Sequence, residues 1–72
     1  MIRLVQMTKE NRYYIVETRR NLFGELAVVL RWGSLKTEWE RQKEIPAKSR
    51  AHAEMLFENA VRGKLWRGYR RV

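Results

Sequence analysis

Apolar and polar residues alternate with a period of two through most of the first half of the chain, which is the pattern of strands that bury one face more than the other. Met1 to Thr8 sets Ile2 and Leu4 against Arg3, then Val5 and Met7 against Gln6, and reads as a strand partly apolar on both faces. Lys9, Glu10 and Asn11 supply a turn. Arg12 to Arg19 (RYYIVETR) is rich in aromatic and β-branched residues and reads as a second strand. Asn21 to Gly24 (NLFG) makes a four-residue turn, with Gly24 free to take a positive φ, so the second and third strands form a hairpin. Turn tips are usually polar, so Leu22 and Phe23 are expected to fold back onto the core.

Glu25 to Trp32 (ELAVVLRW) is apolar on both faces for most of its length, as a central strand under a helix should be, and Gly33 is expected to break it. From Thr37 to Ile45 alternation resumes. Trp39, Arg41, Lys43 and Ile45 fall on one face and Glu38, Glu40, Gln42 and Glu44 on the other, before Pro46 ends the strand. Ser49 is a helix N-cap, and Ala53, Leu56, Phe57, Ala60, Val61 and Lys64 follow it at the spacing of one buried helical face. Gly63 offers one end for this helix and Gly68 a later one; the longer version is favoured. The pattern predicts an α+β fold over residues 1–72: a small antiparallel sheet of about four strands with one helix packed across it.

Composition adds a strong charge bias. Sixteen Lys and Arg oppose eight Glu and no Asp, for a net charge of +8, and eleven of the cations are Arg, whose fork suits phosphate oxygens. Arg62, Lys64, Arg67, Arg70 and Arg71 crowd the last eleven residues with no acid among them, which points to a polyanion partner. The absence of Cys excludes disulfides and thiolate zinc sites and suits a cytoplasmic setting. No apolar run approaches the ~20 residues of a spanning helix, and the N-terminus lacks a signal-peptide core, so no membrane association is expected.

Candidate chemistry is thin. Ser49 and His52 do not make a nucleophile and base, because Asp is absent and the Ser serves as a cap. One His with no Cys or Asp leaves a transition metal almost no ligands, and no cofactor is expected. Glu38, Glu40 and Glu44 share a face but alternate with cations, which favours cross-strand ion pairs over acid-base work. Trp32 beside Gly33 is either a ring presented to a ligand or an ordinary core ring. The Trp39, Arg41 and Lys43 face suits single-stranded nucleic acid, or else is a solvent face whose long stems shield a ring. Trp39 is expected to pack beside the hairpin and Trp66 to cover the helix end.

The order RYYIVETRRNLFGELAVVLRWGSL, a charged strand and a helix ending KLWRGY resembles the WGR domain family, in particular its compact bacterial stand-alone type, over roughly residues 11–71. Tyr13 and Tyr14, the turn Leu22 to Gly24, Arg31, Trp32 and Gly33, Phe57, and the ending Lys64, Arg67, Gly68 and Tyr69 carry the likeness. The motif is degenerate: Ser34 stands where the family has arginine, and Lys36 and Trp39 stand where it has glycines. The resemblance implies the same α+β fold and a role on DNA. In the poly(ADP-ribose) polymerases such a domain contacts DNA near a strand end, its tryptophan against sugar and base. Resemblance and charge together point to a non-enzymatic nucleic-acid-binding module: the likeness offers Arg31, Trp32, Gly33, Lys64 and Arg67 as candidate residues, and the charge pattern adds Lys36, Arg70 and Arg71. The alternative is a protein-interaction domain that docks an acidic partner or pairs with a second copy through a sheet edge. The sequence leaves the oligomeric state open.

Overall fold

The computed structural model describes residues 3–72, so the expected start of the first strand at Met1 and Ile2 lies outside the described residues. Five strands and a helix follow in the order β1 (Leu4–Lys9), β2 (Arg12–Arg20), β3 (Leu26–Ser34), β4 (Glu40–Pro46), α1 (Arg50–Trp66) and β5 (Arg70–Arg71). All strand pairs are antiparallel, and the sheet runs β4-β3-β2-β1-β5. The fold is thus the α+β arrangement expected, with one strand more. A two-residue strand has no periodicity to read, and β5 exists only because the chain beyond the helix pairs with Met7 and Thr8.

Strand alternation divides the sheet into two faces. Met7, Tyr14, Val16 and Val28 point to one side, where Ala53, Phe57 and Val61 of α1 close the core over them. Phe57 is 1 % exposed and its neighbours Met7 and Val16 fully buried, so this contact is the centre of the domain. The spacing of Ala53, Phe57 and Val61 is one helical stripe. The helix begins as expected: the Ser49 hydroxyl accepts from the His52 backbone N–H at 3.1 Å, while the His52 ring Nδ1 accepts from Lys48 N–H. It also runs to the later of the two glycines. Gly68 takes φ +97°, and the Lys64 carbonyl accepts from both Arg67 and Tyr69 N–H groups, which turns the chain into β5.

Four local expectations are corrected. Leu22 and Phe23 do not fold back: the Asn21 side-chain oxygen accepts from the Phe23 and Glu25 N–H groups, which holds the turn without help from the core and leaves both side chains in solvent. Gly33 does not break β3, which runs through Ser34. Trp39 and Trp66 are 72 % and 91 % exposed, so neither ring packs as expected. Among the described residues Glu38, Glu40 and Glu44 form no ion pairs; the pairs present are Arg3 with Glu58 and Glu17 with both Arg19 and Arg31. No helix among the described residues is long and apolar enough to cross a membrane.

Candidate nucleic-acid interface

One cross-strand row organises the helix side of the sheet near its open end. Arg71 lies opposite Met7, Met7 opposite Tyr14, Tyr14 opposite Trp32, and Trp32 opposite Arg41. Directly opposed residues of an antiparallel sheet share a face. The row therefore sets two adjacent aromatic rings between arginines on the outermost strands. The Tyr14 and Trp32 rings stack with centroids 5.8 Å apart and planes 18° from parallel, and Tyr69 meets Tyr14 edge-on at 6.2 Å. Lys64 reaches down from the last turn of α1 to place its Nζ 4.4 Å from the centre of the Tyr14 ring and 5.5 Å from that of Tyr69.

These groups line an open groove of about 410 Å³ with Arg12, Tyr13, Gly33 and Ser34. Trp32 both packs on the core and borders this groove, so the choice between a core ring and a presented ring dissolves: it is half-buried and does both. Burial, and then the neighbouring Arg67, hold the Lys64 ammonium below the ordinary lysine range. Burial and Tyr69 push the Tyr14 phenol up. An anion entering the groove would meet a partly buried cation that has no carboxylate partner among the described residues.

Trp32 and Gly33 serve opposite faces. Gly33 points away from the helix, and its extended φ needs no glycine; close approach does. A Cβ there would sit 2.5 Å from the Trp39 carbonyl oxygen and 2.8 Å from the Tyr13 hydroxyl. The Tyr13 side chain passes over this gap to donate to Glu40 Oε2 at 2.9 Å on β4, and that bond pushes the Tyr13 phenol up. Arg31 shares this far face, where Glu17 Oε1 lies 3.7 Å from its Nε and also accepts from Arg19. The alternation of a strand thus separates Arg31 from Trp32, though they are adjacent in sequence.

The remaining candidates divide likewise. Lys64 lines the groove, and Arg71 stands in the row. Arg70 opposes Thr8 and faces the other way. Arg67 is exposed at the helix end, its carbonyl accepting from Lys9 Nζ at 2.6 Å, and Lys36 is exposed in the loop after Ser34. Arg12 belongs to the site although the sequence did not single it out; Tyr14 and Tyr69, which carried the family likeness, and Arg41, expected on the face of Trp39, join it. The period-two rule would have put Arg12 on the face of Tyr14, but the match of Tyr14 to Trp32 and Arg41 depends on register.

Charge follows the same division. Lys9, Arg12, Arg41, Lys43, Lys64 and Arg71 lie on the helix side, whereas the carboxylates of the strands, Glu17, Glu40 and Glu44, lie on the other. In comparisons with known proteins, neither a curated protein nor a solved structure matches this chain. One family model does, over residues 1–72: the WGR domain.

Proposed function

This chain belongs to the WGR domain family, whose members are in general nucleic-acid-binding modules, and from that premise we propose that it is a non-enzymatic module that binds DNA through the helix side of its sheet. The observation that carries the reading is the row Arg71, Met7, Tyr14, Trp32 and Arg41 beside a groove that holds Lys64, on a sheet face whose strands bring no carboxylate. Phosphate contacts supply affinity without sequence preference, and the edge of the Trp32 ring meets sugar or a terminal base.

The missing motif arginine has a local substitute. Ser34 turns its hydroxyl to accept from Lys36 N–H at 3.2 Å and so shapes the loop, while Arg12 lies directly across from it and borders the same groove. A guanidinium is therefore available within one strand spacing of the position the family fills with Arg. Pairing of two copies through β4 is disfavoured by the strand's own charges. An antiparallel pair centred on Gln42 would oppose Glu40 to Glu44 and Arg41 to Lys43, and like charges directly opposite are destabilising.

The test is a salt titration of duplex binding by fluorescence anisotropy. Five contacts, from Arg12, Arg41, Lys43, Lys64 and Arg71, give log K against log salt a slope of about −4.5. A flat profile sinks the reading. Recovery of one acidic protein in place of nucleic acid, unaffected by nuclease, would select the docking of an acidic partner instead.

A further inference from the structure

The helix covers β2 and β3 and leaves the helix side of β4 bare, and connectivity is the cause. The chain leaves β4 at Pro46, is pinned by the Ala47 N–H to the Leu26 carbonyl at 2.9 Å, and must reach β5 on the far side of β1. The helix therefore spans the middle of the sheet, with Ala53, Phe57 and Val61 packed over β1, β2 and β3. Where it ends, Lys64 lies over Tyr14 of β2, two strands from the corner at which β4 begins. That corner holds Arg41 and Lys43, both exposed, with Trp32 and Leu30 beside them on β3 and Trp39 two residues before Arg41, in the loop that leads into β4.

Three features make this corner more than a solvated edge. Glu40, Gln42 and Glu44 alternate onto the opposite face, and Glu40 is held there by the Tyr13 hydroxyl. Among the described residues neither the Arg41 nor the Lys43 side chain forms an ion pair or hydrogen bond, so no internal partner competes for them. The Trp39 ring is 72 % exposed while its carbonyl is packed against Gly33, which means the backbone is anchored and the ring is left in water. A duplex can offer phosphates to the two cations, but apart from its terminal pairs its base faces are closed within the stack. Unpaired bases are free to lie flat on an indole all along a strand.

We propose that this corner is a path for single-stranded nucleic acid, with a base stacked on Trp39 and its phosphates held by Arg41 and Lys43. The inference rests on the nucleic-acid reading above and deepens it. Because Trp32 stands directly opposite Arg41, the path is continuous with the groove, and a duplex end carrying a single-stranded overhang would occupy both.

The experiment measures anisotropy of a short oligothymidylate, its ribonucleotide counterpart, a blunt duplex, and the same duplex with an overhang. Wild type is compared with Trp39→Ala, Trp39→Phe, the double variant Arg41→Glu/Lys43→Glu, and Phe23→Ser, an exposed ring at the far tip of the β2–β3 hairpin. Thermal melts establish that each variant is folded. Trp39→Ala should weaken single-strand binding roughly 5- to 150-fold, the worth of one stacked base. It should also remove the advantage of the overhang and leave the blunt duplex unchanged, while Trp39→Phe and Phe23→Ser bind as wild type does. The double charge reversal should abolish single-strand binding. The two oligonucleotide arms decide which sugar is preferred. Single-strand binding that survives Trp39→Ala overturns the inference. A wild type that binds blunt duplex but gains nothing from an overhang overturns it and leaves the broader reading standing; binding to none of the probes removes both.

Discussion

Replacing Gly33 with Ala tests whether the glycine of the Trp-Gly pair is there for close approach. Without neighbours, the change would stabilise an extended strand, because Gly loses more backbone entropy than Ala on folding, by about 0.5–1 kcal/mol. The structure reverses that sign. The added methyl would lie 2.5 Å from the Trp39 carbonyl oxygen, a backbone atom that moves only if the Leu35–Trp39 loop moves, and 2.8 Å from the Tyr13 hydroxyl. Overpacking of this kind costs about 1–3 kcal/mol, and loss of the Tyr13 to Glu40 hydrogen bond adds about 0.5–1.5 kcal/mol. A loss of about 2–4 kcal/mol is a large part of the ~4–11 kcal/mol available to a domain of this size. At about 4–8 °C per kcal/mol, the melting temperature should drop by on the order of 10–25 °C. Circular dichroism melts and urea titrations of wild type, Gly33→Ala, Tyr13→Phe and the double variant measure it. Removal of the hydroxyl should shrink the alanine penalty, giving a coupling of at least about 0.5 kcal/mol. If Gly33→Ala melts with or above wild type, the close-approach argument is wrong.

Three more outcomes are expected. Phe57→Ala, at the centre of the helix–sheet contact, should cost about 3–5 kcal/mol and leave the domain close to unfolded at 37 °C by circular dichroism. Lys64→Met should change stability by less than about 1 kcal/mol, since it exchanges a ring contact for relief from burial. The same variant should reduce the steepness of the duplex salt slope by about 0.9, and an unchanged slope would exclude Lys64 from the interface. Alkaline titration should lower stability: Tyr13 and Tyr14 both hold their protons more tightly folded than unfolded, so their contribution is complete below the ordinary tyrosine value near 10 and lost as pH rises through their raised values. Lys64, shifted down, acts in the opposite sense but is one group against two. Urea midpoints that stay level from pH 9 to 11 would contradict the two tyrosine shifts.

Local pattern was enough for most of the elements. Period-two alternation placed β1 to β4, although β4 begins at Glu40 rather than at the expected Thr37 and leaves Trp39 in the preceding loop, and the stripe of Ala53, Phe57 and Val61 behind the Ser49 cap placed α1, because each of these signals is carried by residues close in sequence. The NLFG turn was also legible, but the position of its apolar side chains was not: Asn21 holds the turn by itself, so nothing local forces Leu22 and Phe23 inward. The same limit explains Trp39 and Trp66, whose exposure depends on what the rest of the fold leaves uncovered.

The chain alone therefore determined the kinds of element, the basic surface, and the separation of acid from base along β4, since a strand's alternation assigns faces without reference to its neighbours. Register and the path of the helix decided the site. Only pairing across strands sets Tyr14 beside Trp32 and Trp32 beside Arg41. It also moves Arg31 to the far face with Glu17 and gives Gly33 a structural task under Tyr13. Only the placement of α1 over β2 and β3, on its way from one edge of the sheet to the other, leaves Arg41 and Lys43 uncovered and Trp32 half-buried. These are long-range geometric facts, and they arise from closure of the core around Phe57 rather than from any stretch of residues read in order.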